Sequence, residues 1–247
     1  MKLVNFTAES EAITIVPISD VHIGSPNCNL RKLKETIEMI RTTPHTYCVL
    51  LGDIIDNATT SSVGDTYTET LSPMQQISNA AKLFEPIKHK ILAVTSGNHE
   101  RRTYRLDGID LTKFFCVSLN IQDVYDYASV VLLVTMPSHK IISLYLTHGD
   151  GAGGKLVGSK LNGLVKRSEV INADIYVAGH THQPGVIKTA IFDVDKRHRT
   201  IVKNDRLFVN LPAYLGYETY AEIVGMPPSA DHTPVIHIER NNNWATL

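Results

Sequence analysis

Residues 179–182 read Gly-His-Thr-His and follow directly on an apolar run, "DIYVAG". Two imidazoles with one residue between them, at the end of a buried strand, are either a polar loop or half of a metal site. What else the chain can bring to them decides between the two. Four more apolar runs end in side chains of the same kind. After "TIVPIS" come Asp20 and His22. After "CVLLG" come Asp53 and Asp56. "AVTSG" is followed by Asn98, His99 and Glu100, and "LYLT" by His148. Five of the eleven histidines stand at these points. Each fragment alone is weak, since Asn, Asp and His are common in turns. Together, each just after a strand-like run, they describe one pocket lined with carboxylate, amide and imidazole donors.

The elements that must position them are legible. The runs 12–19, 46–52, 90–97, 140–149 and 173–179 are almost continuously apolar, the pattern of strands buried on both faces. Between the first two, Leu30, Leu33, Ile37 and Ile40 recur at helical spacing, and Pro73 opens a second helical stretch over 73–86. Strand alternating with helix implies an α/β sheet covered by helices. In such sheets ligands bind beyond the carboxyl ends of the strands, which is where the polar groups fall. From 186 onward the chain turns β-like and loop-rich. It shows no internal repeat or linker, so a single domain over 1–247 is expected.

Composition narrows the class. Apolar residues make up 43% and charged residues 20% of 247, an ordinary globular balance. A net charge of −1 gives no general argument for a nucleic-acid or membrane partner. Cys28, Cys48 and Cys116 are odd in number and lack CxxC spacing, which points to a reducing compartment and a cytoplasmic protein. The N-terminal stretch has acids where a signal peptide needs apolar residues, and no apolar run reaches the roughly 18 residues a membrane span requires.

The motifs "DVH" (20–22), "GDIID" (52–56), "GNHE" (97–100), "HG" (148–149) and "GHTH" (179–182) resemble the five motifs of calcineurin-like metallophosphoesterases, complete and in order. The resemblance implies an α/β fold, a four-layer αββα sandwich of two mixed β-sheets flanked by helices, with the C-terminal stretch supplying part of the second sheet. It implies two divalent metal ions, Mn²⁺ first and Fe or Zn²⁺ as alternatives. One ion is held by Asp20, His22, Asp53 and His182, the other by Asp53, Asn98, His148 and His180, with Asp53 bridging.

Chemistry agrees with that set. Oxygen and imidazole donors without thiolate suit these ions and disfavour a cysteine-type structural zinc site. Two such ions exceed the charge of Asp20 and Asp53, leaving a pocket that attracts phosphate, and a bridging hydroxide is a competent nucleophile near neutral pH. The resemblance gives the general-acid role to His99, oriented by Asp56; an Asp–His pair suits proton delivery to a leaving alkoxide. Glu100 caps or orients its neighbours. Gly179, having no side chain, lets the chain leave its strand sharply.

The resemblance implies a phosphate-ester substrate. Arg101, Arg102 and Arg105 follow the acid immediately, and arginine suits bidentate phosphate contacts. Residues 151–167 carry five glycines, four basic residues including Lys155, and no acid, as a stretch tracking a phosphate backbone would. Tyr217, with Tyr214 and Tyr220, offers rings for bases to stack on. "GDIIDNA" and the serine before "GN" depart from the phosphoprotein phosphatases, and only 65 residues follow His182, few for a large capping domain. The expectation is a phosphodiesterase acting on nucleic acid or nucleotides. A phosphomonoesterase on phosphoprotein or small metabolites is the alternative, and a non-catalytic scaffold a remote third.

Overall fold

The computed structural model describes residues 1–59, 69, 71–150, 157–217, 222, 228, 232–240 and 242–246. In chain order the strands are β1 (Lys2–Thr7), β2 (Ala12–Ile18), β3 (Thr46–Leu51), β4 (Ile91–Thr95), β5 (Tyr125–Asp126), β6 (Ser129–Thr135), β7 (Ile141–Thr147), β8 (Ile175–Ala178), β9 (Gly185–Asp195), β10 (Thr200–Asn210), β11 (Val235–Glu239) and β12 (Asn243–Thr246). The α-helices are α1 (Leu30–Thr42), α2 (Pro73–Phe84), α3 (Asn98–Asp107), α4 (Leu111–Leu119) and α5 (Val157–Val165).

Two six-stranded mixed sheets result, in the orders β1-β6-β7-β8-β10-β9 and β12-β11-β2-β3-β4-β5. The apolar runs do pack on both faces. In β3, Val49 and Leu51 meet Leu144, Leu146 and Val177 between the sheets, while Cys48 and Leu50 face Leu33, Ile37, Phe84 and Phe115 from α1, α2 and α4. On the far side, Tyr176 and Phe208 stack with ring centroids 4.7 Å apart, beside Leu164 of α5. The four layers are therefore helices, sheet, sheet, helix.

Local sequence explains the helix boundaries. Asn29 caps α1 by accepting from Lys32 N, and Leu33, Ile37 and Ile40 form its buried face, whereas Leu30 is exposed. Ser72 and Gln75 form a capping box on α2, with Pro73 in its first turn. The helical stretch read over 73–86 ends at Phe84; Glu85–Lys90 tightens into a 3-10 turn at Pro86, which cannot continue the α-ladder.

The expectation for the C-terminal part needs dividing. β9 and β10 join β8 in the first sheet, while β11 and β12 extend the second, β11 antiparallel to β2. The arginine-rich stretch after "GNHE" lies on α3. For the site the main consequence is alignment. β2, β3 and β4 are mutually parallel in one sheet, β7 and β8 parallel in the other, and all five end on the same side.

Candidate metal centre

The loops beyond those five strands interlock. Val21 N and His22 N both donate to Asp53 O, at 2.8 and 3.0 Å, tying the ends of β2 and β3 together. His148, beyond β7, reaches across to the other sheet, its Nδ1 donating to Leu51 O at 2.7 Å. Gly179 stands where a Cβ would lie 2.0 Å from Ser19 Oγ and 2.5 Å from Asp20 Oδ2. Glycine is needed there for close approach of two strand ends, a different reason from the sharp exit read in the sequence. Gly97 is as tightly placed, its missing Cβ falling 2.1 Å from Asp53 Oδ1.

Asp20, His22, Asp53, His180 and His182 all have positive φ, between 49° and 67°. For non-glycine residues this costs of order 1–3 kcal/mol apiece and persists only where the surroundings over-determine it. Buried Glu100 is one such restraint: Oε1 accepts from Ile54 N and Ile55 N, Oε2 from Asp53 N and Gly97 N. The "GNHE" glutamate thus holds two loops in register.

The side chains converge. Asp53 Oδ2 lies 3.3 Å from His148 Nε2 and 3.9 Å from His22 Nε2. Asn98 Oδ1 is 2.8 Å from His148 Nε2, which is 3.2 Å from His180 Nδ1. His182 Nε2 stands 3.2 Å from Asp20 Oδ1. Ligand atoms of Asp20, His22 and His182, and those of Asp53, His148 and His180, each gather within 4.8 Å of one another. His99 joins His22 and Asp53 in a third such group.

Both metal-facing carboxylates and the rings of His22 and His148 have one side tied to protein. Asp53 Oδ1 accepts from His99 N and Asp20 Oδ2 from His180 N, each at 2.8 Å. His22 Nδ1 donates to Asp56 Oδ1 and His148 Nδ1 to Leu51 O, which leaves Nε2 of both rings facing the pocket. Left inward are His22 Nε2, buried without a hydrogen-bond partner, and buried Asp20 Oδ1, which faces the His182 ring. Electrostatics tell the same story. Burial opposes ionisation of Asp20, yet His182 draws its pKa down to about 2, and Asp53 is likewise held well below the usual carboxylate range, chiefly by His148 against burial. Burial and neighbouring imidazoles lower His22 and His180, which favours their neutral, ligating form. An orphaned ring nitrogen beside two ionised carboxylates fits a cation on either side of Asp53.

The pair expected to deliver a proton, His99 and Asp56, has an unexpected geometry. His99 Nδ1 donates to the main-chain carbonyl of Asp56 at 2.5 Å, while the Asp56 carboxylate lies 3.4 Å away and sits nearer His22. His99 Nε2 accepts from Arg102 Nη2 at 2.8 Å. Asn57, not singled out in the sequence, is buried and donates through Nδ2 to His99 O and Thr103 Oγ1, pinning the start of α3. Nothing in its motif marked it, because its partners lie more than forty residues away.

The four expected substrate contacts fare differently. Arg102 reaches the site. Arg101 instead commits Nη2 to Ser96 O and Tyr127 O and lays its guanidinium over the Tyr127 ring, a structural placement. Tyr217 is 53% exposed, one residue beyond Gly216, whose N–H donates to Asn27 O. Lys155 lies outside the described residues.

The sequence model for the calcineurin-like phosphoesterase superfamily domain matches residues 13–213. Among solved structures, a single-substitution variant of Vps29 from Entamoeba histolytica is 13% identical, with 94% of this chain and 91% of that one covered and a TM-score of 0.46. Wild-type Vps29 of the same organism, complexed with Zn²⁺, gives 10%, 95%, 97% and 0.43. A predicted phosphoesterase from Streptococcus pneumoniae gives 13%, 95%, 97% and 0.36. No curated protein matches.

Proposed function

The chain belongs to the calcineurin-like phosphoesterase superfamily and is a metal-dependent phosphoesterase; from that premise we propose that it hydrolyses phosphodiester bonds of nucleic acid or nucleotides with two divalent cations, Mn²⁺ first among them. The observation carrying the metal assignment is the convergence of the ligand atoms of Asp20, His22 and His182, and of Asp53, His148 and His180, with His22 Nε2 buried and without a hydrogen-bond partner among them. Asp20, His22, Asp53 and His182 would hold one ion, and Asp53, Asn98, His148 and His180 the other. Bound there, the ions supply positive charge for phosphoryl oxygens and acidify water near neutral pH.

The protein's own contribution is orientation and proton delivery. Main-chain donors from His99 and His180 aim the free oxygens of Asp53 and Asp20. His99, whose Nδ1 is fixed by Asp56 O, turns Nε2 towards the pocket; that nitrogen accepts from Arg102 here and donates to the leaving oxygen once it is protonated and freed of that contact. Burial and Arg102 oppose its charge, but Asp53 and Asp56 outweigh them and raise its pKa. The unpaired thiols of Cys28, Cys48 and Cys116 support a reducing, cytoplasmic setting.

The test is metal analysis of the purified protein together with a Mn²⁺-supplemented panel of bis-p-nitrophenyl phosphate, p-nitrophenyl phosphate and labelled single-stranded DNA. Hydrolysis of the diesters supports the reading. Turnover of the monoester alone identifies a phosphomonoesterase, and absence of bound metal removes the mechanism.

A further inference from the structure

We infer that Arg102 selects substrates carrying a second anionic group, on the leaving-group side of the scissile phosphate. The inference rests on the phosphodiesterase reading above and narrows its substrate class.

His99 and Arg102 are three residues apart on α3 and share a helical face. Because His99 Nδ1 is engaged by Asp56 O, Nε2 is the nitrogen that faces a leaving oxygen, and the Arg102 guanidinium stands 2.8 Å from it. That guanidinium therefore occupies the position the leaving group takes. Its other contacts are long, Nη1 lying 3.3 Å from Asp56 O and 3.4 Å from Asn57 O. Among the described residues no carboxylate comes within ion-pairing distance of it, although Asp53, Asp56, Glu100 and Glu69 attract it from farther off. Neighbouring Arg101, by contrast, holds two close carbonyls and an aromatic face.

A partly buried cation with no close counter-charge among the described residues, whose one short contact is to the reacting nitrogen, is placed to receive an anion. The scissile phosphate would be held by the cations proposed at Asp53. A leaving group that continues to a further phosphate gives the fork of Arg102 a bidentate partner and draws it off Nε2 as the leaving oxygen enters. Short diesters within a nucleotide chain have this form. Small diesters with neutral leaving groups do not.

The experiment compares TpT with pTpT and TpTp, scored by cleavage of the internal diester, in wild type, Arg102→Gln and Arg102→Lys, with bis-p-nitrophenyl phosphate as each protein's own reference. One extra phosphate should raise kcat/KM of the wild type about ten- to hundredfold for pTpT or TpTp, the scale of one charge-assisted contact. Arg102→Gln should abolish that preference, mainly through KM, and Arg102→Lys should keep part of it. Since each preference is a ratio within one protein, a folding defect that slows all substrates leaves it intact. Should Arg102→Gln not fold, the ratio for Arg102→Lys decides. Equal rates on all three dinucleotides, or a preference surviving in Arg102→Gln, overturns the inference while leaving phosphodiesterase activity in place. Failure to cleave any diester overturns both.

Discussion

Nδ1 of His22 lies 2.9 Å from Oδ1 of Asp56, closer than the 3.4 Å separating Nδ1 of His99 from the same oxygen. Asp56 thus serves the ring of His22, a proposed metal ligand, as well as that of His99, the proposed proton donor. Removing such a partner commonly costs about 10- to 100-fold in metal affinity. Asp56→Ala should weaken Mn²⁺ binding by that order in calorimetric titration, in addition to slowing substrates with poor leaving groups. Unchanged metal affinity would show that Asp56 acts on His99 alone.

Glu100 accepts four backbone N–H groups from two loops. In Glu100→Gln the amide nitrogen cannot accept, so two buried donors lose their partner, at about 1–3 kcal/mol each. The melting temperature should fall by about 2–4 °C per kcal/mol for a chain of this size. A variant melting like wild type would deny Glu100 its restraining role.

A methyl group at position 179 meets Ser19 Oγ and Asp20 Oδ2 well inside contact distance. Gly179→Ala should push the "GHTH" turn off the β2 end and lower metal affinity about tenfold or more. Gly158, in α5, has nothing within 4 Å of an added Cβ, so Gly158→Ala should leave metal affinity as it is. Equal behaviour of the two variants would remove the close-packing argument.

Metal uptake should depend on pH in a set direction. Burial opposes the charge of His148, but Asp53 and Asp20 outweigh it and raise its pKa from 6.5 to about 9. In chelated protein, the stability contributed by imidazolium is complete below pH 6.5 and lost as pH rises through about 9. A metal needs the neutral ring, so Mn²⁺ affinity should climb by about tenfold per pH unit across that window, with one proton released. Thermal melts with chelator and with Mn²⁺ should accordingly diverge as pH increases. Affinity independent of pH, or melts that shift together, would contradict this.

Much of the molecule was written locally. Unbroken apolar runs such as "TYCVLLG" can only be strands covered on both faces, and "SPMQQ" is its own helix start. Donor types at five strand ends, with no thiolate among them, fixed the class of chemistry, because side-chain type and position along an element are properties of short segments. What segments cannot encode is how two sheets meet. Only the packed structure brings His148 of one sheet to Leu51 of the other, sends Arg101 to Ser96 and Tyr127 while its neighbour Arg102 meets His99, and turns the Asp56 carboxylate towards His22. Those relations depend on contacts between residues tens of positions apart, whose energies exist only once the chain has folded around them.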